Sequence, residues 1–203
     1  MANKIRLNLG CGIWFRKGFI NVDNYIDEEE ALTKKGGAAG AIIEKGYKFV
    51  KADIKSLPFP DEYADYVELM NTIEHFPMHH VIEYLKEIHR VMKKGSKLII
   101  LTNDMTGLAI DWLEMVSNAS FEPQKYIDVA ETIYGNQYGD SLGELHRVPF
   151  TPTYLNYCLF HAGFTEGMIG LIPKDAPLPK IGTLPIDKGK VARNNLLVAE
   201  MTK

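Results

Sequence analysis

The sequence predicts a single α/β domain: a mostly parallel sheet of about seven strands, flanked by helices and closed by an antiparallel C-terminal hairpin. Three observations predict it. Short apolar or alternating segments recur between helical patterns along the chain. A Gly10-Cys11-Gly12 turn directly follows the first of these segments. The last two β-like segments, 164–172 and 194–201, are long and joined by one Pro- and Gly-rich stretch, as in a hairpin at a sheet edge.

The elements follow in order. Residues 5–9 alternate and stop at Gly10, which reads as a strand and a turn. Residues 18–23 (GFINVD) read as a second strand. Only 11–17 separates the two, too little for the crossover helix that parallel strands normally need, so a single turn or abbreviated helix is expected at 13–16. Residues 27–46 are rich in charge, Ala and Gly; a helix over 27–35, broken by Gly36-Gly37 and Gly40, with a mobile segment, is expected. Residues 47–52 (YKFVKA) alternate as a strand, 56–62 form a Pro-containing loop, and 65–70 (DYVELM) are the next strand. Over 78–92, Val81, Tyr84, Leu85, Ile88 and Val91-Met92 recur on one helical face. Lys93-Lys94-Gly95 would close that helix with cations and a C-terminal glycine. Residues 97–101 (KLIIL) read as a buried strand and 107–117 as a helix. Residues 118–150 lack a strong period and are taken as a lid or substrate-binding insertion. Thr151 and Pro152 suit the N-cap and first position of a helix that Gly163 ends.

Composition narrows the function. The chain has 203 residues, 46% hydrophobic, enough for one domain with a sizeable core. A formal net charge of -3 disfavours nucleic acid as the main substrate. Cys11 and Cys158 read as buried free thiols in a reducing compartment. No apolar run reaches the roughly 18 residues that span a bilayer, and no signal-peptide core precedes the first strand, so the cytoplasm is expected. The Pro-rich stretch 172–185 is available to line the site, cover an edge strand or contact a second copy in a homodimer.

The chemistry centres on Asn8-Leu9-Gly10-Cys11-Gly12. Glycines at 10 and 12 let the backbone turn sharply and approach a ligand. In open α/β sheets, ligands bind beyond the carboxyl ends of the strands. Asp23 ends the second strand, where a carboxylate accepts from ribose hydroxyls. Asp53 follows the third, where an oxygen accepts from an adenine amino group.

With LNLGCG at 7–12, INVD at 20–23, ADIKSLPFPDEYADYVELMNTIEHF at 52–76, LKEIHRVMKKGSKLII at 85–100 and HRVPFTPTYLNYCLFHAGF at 146–164, the chain resembles the class I, Rossmann-like S-adenosylmethionine-dependent methyltransferases. It is most similar to small bacterial members with a shortened glycine-loop connection, some of them associated with sugar metabolism. The resemblance implies S-adenosylmethionine as cofactor and a small-molecule hydroxyl or amine as acceptor. It implies that Gly10, Cys11 and Gly12 lie against the methionine part, Asp23 holds the ribose, Asp53 and Ile54 hold the adenine, and Asn71 lies near the methionine group and the acceptor. Asn8 stands where many members carry an acid.

Methyl transfer needs a general base only if the acceptor must lose a proton. His75, just past the fourth strand, and His146, which faces the acceptor if 118–150 folds over the site, are the candidate catalytic residues. A structural role competes: Glu74 and His75 would cap the next helix or bond the glycine loop. Arg147 suits an anionic acceptor. His75, His79, His80 and His89 lack a placed partner Cys or acid, so no metal is expected. Trp14, Phe15 and Tyr25 would border the cleft or fill the core, and Tyr126, Tyr134 and Tyr138 would stack on a ring acceptor. Two other readings remain. One is a non-catalytic adenosyl-binding regulatory subunit. The other is a nicotinamide dehydrogenase, whose third glycine would stand where this chain has Phe15.

Overall fold

In the computed structural model, residues 4–26, 29, 42–43, 46–117, 122–135, 145–172 and 196–203 are described. The expected helix over 27–35, with Glu29 the one exception, the glycines at 36, 37 and 40, and the Pro-rich stretch past Ile172 lie outside them.

Seven strands form the main sheet: β1 (Arg6–Leu9), β3 (Ile20–Asp23), β5 (Lys48–Lys51), β6 (Ala64–Met70), β7 (Met92–Asn103), β8 (Glu166–Ile172) and β9 (Leu196–Thr202). Their order is β5-β3-β1-β6-β7-β9-β8. The first five run parallel, and β9 runs antiparallel between β7 and β8. The expected sheet and its antiparallel C-terminal edge are therefore present. Residues 13–16 depart from expectation. They form no abbreviated helix: a turn closed by Trp14 N donating to Cys11 O at 2.9 Å leads into β2 (Trp14–Phe15), which pairs in parallel with β4 (Ile42–Ile43) as a second small sheet. With so few residues between Gly12 and Gly18, extended backbone bridges a distance that a helical turn, rising about 1.5 Å per residue, would not.

Among the described residues the helices are α1 (Val81–Val91), α2 (Met105–Ser117), α3 (Pro123–Tyr134) and α4 (Pro152–Ala162). In α4 the expected caps form: the Thr151 hydroxyl accepts from Tyr154 N at 3.2 Å, and Gly163 takes a left-handed φ of 106°. The end of α1 corrects the expectation. The helix stops at Val91, and Met92 is already extended, so Lys93-Lys94-Gly95 belongs to β7. Gly95 turns within that strand with φ 73° and donates its N–H to Lys203 O. α3 forms inside the segment read as a period-free lid.

Two faces of the sheet divide the core. Leu7, Leu9, Val22, Val67, Leu69, Leu98, Ile100, Leu197 and Ala199 pack in one cluster with Leu85 and Ile88 of α1 and Leu155 and Leu159 of α4. The opposite face carries a second, smaller apolar cluster, Met70, Ile99, Leu101, Ile172 and Leu196. Beside Phe49 of β5 it carries Cys11, Phe15 and Ile26. Between these two patches lies a polar row, Asn21, Asn8 and Glu68, matched residue for residue across β3, β1 and β6.

Candidate active site

The parallel strands all end on one edge, which brings Gly10, Asp23, Asp53, Asn71 and Asp104 to the same rim. The strand order reverses at β1, where connections run outward on both sides and open a crevice.

The glycine turn is fixed from below. Gly10 N and Cys11 N donate to Val22 O at 2.8 and 3.1 Å. The Thr72 hydroxyl lies against the carbonyls of Leu9 and Gly10 at 3.2 Å each. Gly10 has φ 66°, and a Cβ there would collide with the Thr72 side chain, so both backbone and packing demand glycine. At Gly12, φ is 49°, yet a Cβ would meet nothing within 4 Å. Its outer side is open, the shape expected where a ligand approaches backbone.

Asp23 holds this turn. Its Oδ2 accepts from Gly12 N at 2.8 Å, and its Oδ1 accepts from Tyr25 N and Ile26 N at 2.8 and 3.2 Å. Three of roughly four acceptor positions on the carboxylate are thus taken. One remains for a hydroxyl, fewer than the pair of hydroxyls expected from the sequence. Asp53 is exposed; its Oδ1 accepts from Lys55 N at 2.8 Å and caps the short turn Ile54–Ser56, with Ile54 buried beneath. Burial and the Asp23 carboxylate push the Cys11 thiol well above its usual range, so it is a packed, protonated thiol.

Asn8 is not open to the rim. It is buried, and its amide donates to Trp14 O at 3.1 Å and to Asn21 Oδ1 at 2.9 Å. Asn21 in turn accepts from Arg16 N and donates to Arg16 O and Lys48 O. Arg16 pairs with Glu68, and its guanidinium lies 4.3 Å from the Phe19 ring centroid. This network holds 13–17 against the sheet, where a helix would otherwise pack.

Past β6, Asn71 is exposed with φ 51° and donates its N–H to Leu101 O at 2.9 Å. A short turn, Ile73–His75, follows. Neither Glu74 nor His75 caps α1 or bonds the glycine loop; Thr72 does the latter. Glu74 is buried, its Oε2 accepts from the Thr102 hydroxyl at 2.9 Å, and its backbone oxygen accepts from Arg147 N at 2.7 Å. Burial pushes its carboxyl up to about 7. His75 Nδ1 meets Leu145 O at 3.0 Å, and His146 Nδ1 meets Thr132 O at 2.8 Å. The two rings stand edge to face with centroids 4.8 Å apart. Residues 75 and 146, far apart in sequence, are therefore brought together.

Burial lowers the His75 pKa against its contact with Leu145 O, and the charges of Arg147 and Asp23 both reach the ring. Burial raises the Tyr84 hydroxyl, which also feels Asp53, Tyr25 and Arg147. Tyr84 was legible only as a helix-face residue; its ring stacks on Phe76. Phe15 is core, packed on Tyr47 and Phe49, whereas Tyr25 is exposed. Tyr126 packs against Trp112, and Tyr138 lies outside the described residues. His79 is exposed, and His80 bonds Glu83 at the surface.

Residues 14–100 match the family model of a methyltransferase domain. A curated relative, sterol 24-C-methyltransferase of Pneumocystis carinii, is 24% identical over 187 residues, 91% of this chain and 44% of its own length. The chain thus spans less than half of that relative. Among solved structures, an S-adenosylmethionine-dependent methyltransferase of Archaeoglobus fulgidus superposes with a TM-score of 0.58 at 18% identity, covering 98% of this chain and 86% of its own. A Thermotoga maritima methyltransferase gives 0.58 at 20% identity, covering 100% and 84%. Both are likenesses of fold. The sheet order and the glycine turn backed by Asp23 thus give the fold of these solved methyltransferases, and residues 14–100 match a methyltransferase domain.

Proposed function

We propose that the protein transfers a methyl group from S-adenosylmethionine to a hydroxyl or amine of a small molecule. One observation carries the reading: the open Gly12 turn, the Asp23 carboxylate that holds it and Asn71 just past β6 share the rim at the carboxyl ends of the parallel strands. The sulfonium methyl of S-adenosylmethionine is the electrophile in this chemistry. The chain supplies positioning. Gly10, Cys11 and Gly12 would line the methionine part, Asp23 would accept from the ribose, Asp53 and the backbone of Ile54 would read the adenine, and Asn71 would sit between cofactor and acceptor. Asn8 would act beneath the loop and not on the ligand.

His75 and His146 are the proposed proton acceptors. With Nδ1 donating to a carbonyl, a neutral imidazole keeps its lone pair on Nε2. Burial holds His75 below its usual range, so it is neutral and able to accept a proton at pH 7. A small-molecule acceptor is favoured by the net charge of -3 and by the sterol substrate named for the curated relative. Residues 118–150, with α3, would cover the acceptor. Among the described residues no helix is long and apolar enough to cross a membrane, and both cysteines are free and buried, which supports a cytoplasmic setting.

Calorimetry with the demethylated cofactor tests the reading. Asp53→Ala should raise Kd roughly tenfold, about 1.4 kcal/mol, and leave the fold intact, because the structural duty of this exposed carboxylate is confined to capping one short turn. His146→Ala should lower turnover and leave Kd unchanged. No binding by the wild-type chain at millimolar ligand would remove the proposal.

A further inference from the structure

Glu74, His75 and His146 each offer one ligand atom, and these atoms lie within 4.8 Å of one another. The acid and its neighbouring histidine meet the third residue only through the fold. The frame holding them is stiff. Arg147 N and Val148 N both donate to Glu74 O, at 2.7 and 3.2 Å, and His75 Nδ1 is held by Leu145 O. The segment carrying His146 is thereby pinned along the turn carrying Glu74 and His75.

A second observation points to a ligand. Glu74 is 2% exposed, and its Oε1 is buried without a hydrogen-bond partner. A buried carboxyl oxygen with nothing to receive from is costly; a proton or a cation compensates it, and the two imidazoles beside it favour the cation. Both histidines hold Nδ1 against a backbone carbonyl. Metal-bound histidines are commonly oriented in this way, because the carbonyl fixes the tautomer that leaves Nε2 basic.

We infer that Glu74, His75 and His146 form a binding site for one divalent first-row transition-metal ion, at the acceptor end of the cleft. Two imidazoles and one carboxylate suit Zn²⁺, Co²⁺ or Mn²⁺ better than Mg²⁺ or Ca²⁺, which prefer all-oxygen shells. Metal–ligand distances of about 2.0–2.2 Å require the three donor atoms to close in by roughly an ångström, a side-chain adjustment. With the ion bound, Nε2 of both histidines is occupied, so they serve as ligands and not as proton acceptors, and three protein ligands leave open positions for an oxygen of the acceptor. That use rests on the methyl-transfer reading; the binding itself does not.

The test uses the full-length, untagged chain stripped with a chelator. Co²⁺ titration should saturate at one ion per chain and give visible absorption bands of a nitrogen–oxygen site. Calorimetry with Zn²⁺ should agree. His75→Gln and His146→Gln should each weaken binding by roughly tenfold or more, while a His79→Gln, His80→Gln double variant should bind as the wild type does. Glu74→Gln should weaken it too; should that buried change unfold the chain, the wild-type Co²⁺ spectrum and His146→Gln still decide. No saturable uptake by the wild type, or unchanged affinity in both His75→Gln and His146→Gln, overturns the site. The demethylated cofactor is titrated in parallel. Cofactor binding without ion uptake sinks only the metal site, and ion uptake without cofactor binding sinks only the methyl-transfer reading.

Discussion

On one face of the central strands, Leu9 and Leu69 share an apolar cluster with Leu85, Ile88 and Leu155. One residue earlier on each strand, on the opposite face, Asn8 and Glu68 meet Asn21 and Arg16. The first face is covered by α1 and α4. The second is covered near the glycine turn by a segment too short to be a helix, and hydrogen bonds do what helix packing does on the other side. An apolar helix needs only the right period. A short extended segment has little apolar area to bury, so its place must be specified group by group.

The comparison can be broken at both faces. The largest effect is expected on the polar one. Arg16→Met leaves Glu68, fully buried, without its cation and should cost about 3–5 kcal/mol in urea denaturation. Adding Glu68→Leu should restore most of it, since replacing both members of a buried pair by apolar groups is often neutral. A single-variant loss under about 1 kcal/mol would mean that the pair does not hold the segment. On the apolar face, Leu85→Ala should cost about 3 kcal/mol by leaving a cavity, and no second substitution nearby should rescue it.

Asn8→Asp sharpens the contrast by placing an acid inside the polar network. The change removes the donor to Trp14 O and Asn21 Oδ1 and sets a carboxylate against both oxygens, so a loss of about 2 kcal/mol is expected. A gain in stability would show that the network tolerates charge.

The smallest effect concerns the surface of α1. Arg90 donates to both oxygens of Glu87 at 2.7 Å and to Asp61 at 2.7 Å, and Glu87 also accepts from Leu57 N. The Arg90 hydrogen bonds hold the Glu87 carboxyl below the usual carboxylate range. A carboxylate depressed in the folded state stabilises above its unfolded pKa, and that contribution is lost as pH falls through the folded value. Denaturation curves of Glu87→Gln and wild type should therefore differ near neutrality by under about 1 kcal/mol, because the pair is partly solvated, and converge at low pH. A difference that grows on acidification would contradict the assignment.

Local sequence determined the elements whose physics is local. The period over 81–91 made α1, Thr151-Pro152 and Gly163 bounded α4, and alternation marked the strands; Gly10, Asp23 and Asp53 could be set at strand ends from spacing alone. Where neighbours in sequence did not decide, the reading failed. The sequence of 13–16 suits a turn, but pairing with β4 draws it into a strand. The polar run after Val91 suits a helix end, but β6 takes Met92 into the sheet beside Ala64. α3 shows no strong period because Tyr126, Ile127 and Tyr134 remain partly exposed, so its pattern carries little of the burial that makes a helix readable.

The site divides in the same way. Which residue types stand past each strand is written in the chain. That Thr72 locks Gly10, 62 residues away, that Asn8 turns inward to Asn21, and that Glu74 and His75 meet His146 was decided only by tertiary structure. Side-chain partners across such separations are chosen by the register of strands and the path of loops, and a one-dimensional pattern fixes neither.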